Sequence, residues 1–245
     1  MKSPSTGRRL DSATAPRRSS MPRDTGIAVS RRSAGAALLA SFVLSAIPRP
    51  LHATKGESRI LSPPQKAGGM ALMDALARRR STREFSERTL PAQLVSDLLW
   101  AAYGINRPSG DRTAPYWRHI MVIDVYAAMA DGVWLYDPRL HALQPHLAED
   151  LRAQTGLQDF VASAPLNLVY VAHGERMRDI SPTERRLYAS VDTGFIGQNV
   201  YLFCASAGLA TVFRGAVDLV KLGKAMRLDE ESFVTFAQTV GYPKG

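Results

Sequence analysis

Only one cysteine, Cys204, occurs in the 245 residues, so no intramolecular disulfide is possible. Its place inside the apolar stretch NVYLFCASAGL makes it a core thiol rather than a nucleophile. Other signatures are missing too. No G-x-G-x-x-G opens a helix and no G-x-x-x-x-G-K-[ST] occurs, which excludes a resident dinucleotide fold and a nucleotide-hydrolase phosphate loop. There is no H-E-x-x-H and no paired-cysteine pattern, and the five histidines (52, 119, 141, 146 and 173) are scattered. The closest pair, His141 and His146, flanks a strand end and reads as surface residues, so no metal is expected. No G-x-S-x-G elbow argues for a hydrolase.

Acidic residues are scarce at one end. The first 53 residues carry nine Lys/Arg against Asp11 and Asp24, and hold +7 of the +9 formal charge. Thr54 to Gly245 has 22 basic and 20 acidic residues and is nearly neutral. The excess charge therefore does not describe a polyanion-binding surface, and nucleic acid is not an expected partner. In the leader, Arg31-Arg32 precede the apolar run SAGAALLASFVLSAI, and Leu51-His52-Ala53 offers a small-residue cleavage site. A positive region, a short apolar region and a small-residue exit are the parts of a secretory signal. Such a run is shorter than the roughly 20 residues that span a bilayer, so removal is expected rather than a stable membrane span. The arginine pair also fits the twin-arginine route, which carries proteins folded around a cofactor. Met1 and Met21 both remain possible starts. The expectation is a periplasmic or secreted protein.

Residues 1–53 are thus a leader, 54–69 a short flexible lead-in, and 70–245 one domain with a single core. MALMDALARRR and TLPAQLVSDLLWAAYG show helical spacing, the second with Thr89 as cap, Pro91 in the first turn and Gly104 as stop. HIMVIDVYAAM, GVWLYDP and HALQPH read as strands with a turn at Asp137-Pro138, followed by LAEDLRAQTG as a short helix and APLNLVYVAH as a buried strand. Ser181, Pro182 and Glu184 open a helix of about 27 residues that Gly208 ends. ATVFRGAV and FVTFAQTVGYP are strands with the helix DLVKLGKAM between them. Without a strict strand-helix-strand repeat, the class is α+β.

The positive signal is LARRRSTREF, where Arg78, Arg79, Arg80 and Arg83 fall within six positions. Arginines in a last helical turn complement its dipole, which accounts for one or two, Arg78 foremost. Charges about 4 Å apart repel by about 1 kcal/mol in water and about 4 kcal/mol near a protein surface. An anionic ligand would turn that repulsion into charge-assisted hydrogen bonds, and Ser81 and Thr82 add hydroxyls.

ARRRSTREFSERTLPAQLVSDLLWAAYGINRPSGDRTAP, then VDTGFIGQNVYLFCASAGLATVFRGAVD, then TVGYPKG resemble the nitroreductase superfamily of FMN-dependent oxidoreductases, from about Met70 to Gly245. The GVWLYDP strand is similar to the branch that includes azoline-oxidising dehydrogenases. The resemblance implies a mixed or antiparallel sheet flanked by helices, a long central helix and an intertwined homodimer with flavin at the interface, Gly194 and Gly197 allowing close approach. By the same resemblance Arg79, Arg80, Ser81 and Arg83 surround the flavin phosphate, ribityl chain and pyrimidine edge, and amides near Arg214 and Gly215 face the reactive edge. His119 stands where the family places an Asn, and Lys244 takes the place of a basic C-terminal extension. Tyr116 and Trp117 either shape the substrate cleft or are core aromatics.

The implied chemistry is hydride transfer through flavin N5, so no protein acid, base or nucleophile is required. NAD(P)H is the implied donor and a nitroaromatic or quinone the acceptor. Nicotinamide nucleotides are scarce outside the cytoplasm, which keeps two alternatives open: a flavin dehydrogenase oxidising a bound small substrate or peptide azoline, and an exported flavin- or anion-binding protein without turnover.

Overall fold

A computed structural model describes residues 56–245; the basic leader, with Arg31-Arg32 and the cleavage site at Leu51 to Ala53, lies outside them. In chain order the elements are β1 (Arg59–Ile60), α1 (Leu72–Arg78), α2 (Ala92–Tyr103), β2 (Ile123–Met129), β3 (Gly132–Asp137), β4 (Ala142–Leu147), α3 (Phe160–Ser163), β5 (Leu166–His173), α4 (Pro182–Ala207), β6 (Ala210–Arg214), α5 (Leu219–Ala225) and β7 (Ser232–Gly241). The strands form one sheet in the order β1-β4-β3-β2-β5-β7-β6. Every pairing is antiparallel.

β5 lies inside the sheet, between β2 and β7, and both its faces are covered, which explains its apolar sequence. Leu166, Leu168, Tyr170 and Ala172 face a core shared with Leu98 and Leu99 of α2 and Ile196 and Val200 of α4. Val169 and Val171 face the opposite side, where Leu222 of α5 and Met226 pack. A strand covered on both faces has no solvent side on which to alternate polar residues.

α4 owes its ends to local signals. The Ser181 hydroxyl accepts from Glu184 N at 3.3 Å, and the Glu184 carboxylate accepts from Ser181 N at 3.0 Å. This capping box is worth about 1 kcal/mol. Gly208 closes the helix with φ 68, a left-handed conformation that favours glycine.

Several expectations need correction. Thr89 does not cap α2: Pro91 occupies the N-cap position with φ −58, and no side chain caps the helix. Gly104 does end α2, but in an extended conformation; a Cβ there would lie 2.7 Å from the Trp100 carbonyl oxygen. LAEDLRAQTG forms only a short 3-10 turn at Arg152–Gln154, because the Asp150 carboxylate accepts from Arg152 N at 3.0 Å and also binds its guanidinium. His141 and His146 are half-buried: His141 meets the Ser96 hydroxyl at 2.7 Å, and His146 the Met226 carbonyl at 2.7 Å. Within the lead-in, Arg59 and Ile60 pair with β4, and Gln65 N donates to Asp97 at 2.8 Å.

The two helix glycines of α4 separate in role. Gly197 faces its own sheet, where an added Cβ would lie 2.6 Å from the Phe213 ring. Phe213 is itself held between Tyr170 and Phe236. Gly197 therefore sets helix-to-sheet packing within the chain rather than an interface, whereas a Cβ at Gly194 would meet nothing within 4 Å. Gly197→Ala is expected to destabilise the fold by about 1–3 kcal/mol, the range for overpacking a filled core. Urea unfolding measures this; an unchanged midpoint would contradict the packing role.

Candidate functional site

The arginine segment leaves α1 at Arg79, whose N–H closes the helix onto the Ala75 carbonyl at 2.9 Å. Two contacts then pin the chain against α4 and β6. The Ser81 hydroxyl lies 2.7 Å from the Tyr201 hydroxyl, and Thr82 N donates to the Thr211 carbonyl at 2.9 Å. Tyr201 is the organiser here: its hydroxyl accepts from Phe213 N at 2.9 Å, and the Arg79 guanidinium lies 5.2 Å from its ring centroid. The C-terminal segment runs alongside, with Ser86 N donating to the Tyr242 carbonyl at 2.9 Å and Lys244 N to the Glu84 carbonyl at 3.2 Å. Lys244 is thereby placed beside the Arg83 end of the segment.

None of Arg78, Arg79, Arg80, Arg83 or Lys244 has an ion-pair partner among the described residues. Five cations at one edge without a counter-charge are a composition that an anion would complement. Arg78 and Arg80, with Thr82, Tyr201, Thr211 and Pro243, line a cleft of about 230 Å³. Arg78 thus stands both in the last turn of α1 and on the wall of this cleft. The cleft is below the roughly 300 Å³ at which pockets enclose a whole small ligand, but it has room for an anionic end group.

Arg214 and Gly215 diverge. The Arg214 side chain is buried, and its guanidinium donates to the Thr155 carbonyl at 2.7 Å, Thr239 Oγ1 at 3.1 Å and Asn167 Oδ1 at 3.2 Å. Burial without a carboxylate lowers its pKa to about 10. That side chain is a structural bolt and is not available to a ligand. Gly215 is exposed at the end of β6, and a Cβ there would make only ordinary contact with Phe236 at 3.5 Å. The protein's own packing does not require glycine at this position.

Tyr116, Trp117 and His119 sit elsewhere. Tyr116 donates to Asp111 and packs edge-on to Tyr103, while Trp117 packs on Tyr188 of α4 with centroids 5.6 Å apart. His119 is exposed, with φ 59, edge-on to Tyr116. Trp117 N donates to Asp192 at 3.0 Å, nine residues before Tyr201 on the same helix. At 1.5 Å rise per residue the two groups stand about 14 Å apart along α4. Within one chain the loop and the arginine segment are therefore not neighbours.

Asp192 was not singled out by sequence reasoning. It is 3 % exposed, and burial lifts its pKa from 3.8 to about 6. The folded state therefore binds this proton more tightly than the unfolded chain. Its contribution to stability is full below about pH 4 and is lost as pH rises through about 6, a difference of roughly 3 kcal/mol at most. Asp192→Asn is expected to stabilise the protein at pH 7.5 by about 1–3 kcal/mol. Urea unfolding should show the gap closing at pH 4; a pH-independent gap would refute the assignment. No cluster of three or more His, Cys, Asp or Glu suited to a metal exists among the described residues, nor any helix long and apolar enough to cross a membrane.

This fold and basic edge coincide with a match of the Nitroreductase family to residues 76–242. The chain belongs to that family. A candidate nitroreductase of Methanocaldococcus jannaschii is 33 % identical over 155 residues, covering 59 % of this chain and 78 % of the relative. The crystal structure of a candidate nitroreductase from Ralstonia eutropha superposes with TM-score 0.75 at 43 % identity, covering 81 % of this chain and 95 % of that one. The NADPH:FMN oxidoreductase from Vibrio harveyi, solved with NAD+, shares the fold at TM-score 0.52 and 21 % identity, covering 71 % and 69 %.

Proposed function

We propose that the protein is an FMN-dependent oxidoreductase that works as a homodimer. The observation that carries this reading is the row of uncompensated cations, Arg78 to Arg83 with Lys244, on a nitroreductase-family fold. A phosphate monoester supplies the missing counter-charge, and the Ser81 hydroxyl suits a ribityl or phosphate oxygen. Gly215 supports the same assignment, since its open Cβ position leaves the end of β6 free for a flat ring to approach. Arg79, Arg80, Ser81, Arg83 and Lys244 bind and orient the cofactor, and backbone near Gly215 lines its ring. The Arg214 side chain has no part in this, because it is consumed by Thr155, Asn167 and Thr239.

Bound flavin would supply two-electron redox chemistry, leaving this chain to bind, orient and exclude water. We take NAD(P)H as the donor and a nitroaromatic or quinone as the acceptor; the nicotinamide bound to the Vibrio harveyi relative supports that donor. A second subunit would bring its own Tyr116, Trp117 and His119 toward the basic edge, which one chain alone does not do. The leader favours export to the periplasm, and the similarity of the β3 segment GVWLYDP to azoline-oxidising dehydrogenases favours a second reading as a substrate-oxidising flavin dehydrogenase.

Anaerobic mixing of the FMN-loaded protein with NADPH tests the proposal. The flavin absorbance is expected to bleach and to recover when a nitroaromatic or quinone is added. Bleaching by dithionite but not by NADPH would remove the donor and leave the flavin assignment standing.

A further inference from the structure

A second cavity, of about 400 Å³, lies beneath the loop 112–121, between α2 and the β2-β3 end of the sheet. Arg112 and Tyr103 line it, and they are 7 % and 3 % exposed. Both carry orphaned donors: Arg112 Nε and Nη1 and the Tyr103 hydroxyl have no hydrogen-bond partner among the described residues. The remaining Arg112 nitrogen reaches only the Met121 sulfur at 3.2 Å, a weak acceptor. The ionisable groups that face Arg112 are the phenols of Tyr103, Tyr136 and Tyr116 and the cation of Arg139. The two carboxylates on the cavity wall are already engaged. Asp124 binds His173 at 2.8 Å and Arg176 at 3.5 Å, and Asp137 accepts from Arg139 N at 2.8 Å and Leu140 N at 3.1 Å.

A buried guanidinium without a counter-charge is costly, and a carboxylate is its natural complement because it supplies the opposite charge and accepts charge-assisted hydrogen bonds. The Tyr103 phenol is held protonated by burial and offers a third donor. Ile120, Ile123, Val125, Leu135 and Pro138 give the wall an apolar part, beside the polar Asp124, Asp137, Arg139, Gln144 and Arg176. We propose that this cavity is a binding site for a small carboxylic acid with an apolar body, whose carboxylate is held by Arg112 and Tyr103. It shares no lining residue with the cleft at Arg78 and Arg80, so it does not rest on the flavin assignment.

The test titrates benzoate, and benzamide as its uncharged counterpart, into the full-length protein with FMN present, following the Met121 methyl by NMR. Met121→Leu assigns that signal. Benzoate is expected to give a saturable shift and benzamide none. Arg112→Gln should weaken benzoate at least about tenfold, as loss of a charged partner implies. Tyr103→Phe removes only an unpartnered hydroxyl, so it keeps the fold, and it should weaken benzoate several-fold. This variant decides the matter if Arg112→Gln does not fold. Arg79→Ala with Arg83→Ala should leave benzoate binding intact while FMN is lost. The absence of a saturable shift, equal binding of benzamide, unchanged affinity in Tyr103→Phe, or loss of benzoate together with FMN would each overturn the proposal.

Discussion

Replacing Arg79 and Arg83 together with alanine is expected to weaken FMN binding by about two to four orders of magnitude while leaving the fold intact. Two charge-assisted hydrogen bonds at about 1.5–3 kcal/mol each set that range. Stability is spared because Arg83 is exposed and neither arginine has an ion-pair partner among the described residues. The one contact that is lost, Arg79 over the Tyr201 ring, is worth about 0.5–1 kcal/mol at a partly exposed site. Fluorescence titration of FMN against both proteins measures the effect, with circular dichroism as the control for fold. Undiminished affinity in the double variant would remove these two residues from the site.

The second large effect concerns the dimer. Leu187, Val191 and Phe195 are 57 %, 44 % and 43 % exposed, at intervals of four along α4. Residues four apart share a helix face, so these three form an unburied apolar stripe beside the open Gly194 position. Leu72 and Met73 on α1 are exposed too, and α1 packs against α4. Such a surface fits the subunit interface of the proposed homodimer. Val191→Glu would place a charge within it, at a cost of several kcal/mol and so a loss of dimer affinity of a hundredfold or more. Sedimentation velocity is expected to give a dimer for the wild type and a monomer for the variant. Because the proposed flavin site needs both subunits, FMN should be lost with the dimer. A variant that remains dimeric would place the interface elsewhere.

Local signals made much of the fold legible. Ser181, Pro182, Glu184 and Gly208 mark the ends of α4 through contacts within a few residues, and the apolar run of β5 reports burial on both faces. The arginine segment was legible as a cluster of charge because its cations lie close together in an otherwise neutral domain, and it is here that the anion site is proposed. What escaped depends on distant partners. Tyr201 looks like an ordinary helix aromatic until Ser81, 120 positions away, meets its hydroxyl. The burial of the Arg214 side chain has no local signal either, because nothing near it in sequence announces Thr155 and Asn167, 59 and 47 positions away. Gly197 resembles an interface glycine until Phe213 is placed over it. Asp192 and Arg112 belong to the same class, since desolvation is a property of the packed core and not of spacing.

The basic edge is proposed to hold a flavin by its phosphate. Parallel titration of the apo protein with FMN and with riboflavin, which lacks only the phosphate, isolates that contact. FMN is expected to bind at least about a hundredfold more tightly, as two or more charge-assisted contacts require. Equal affinity for the two flavins, or no binding of either, would contradict the account.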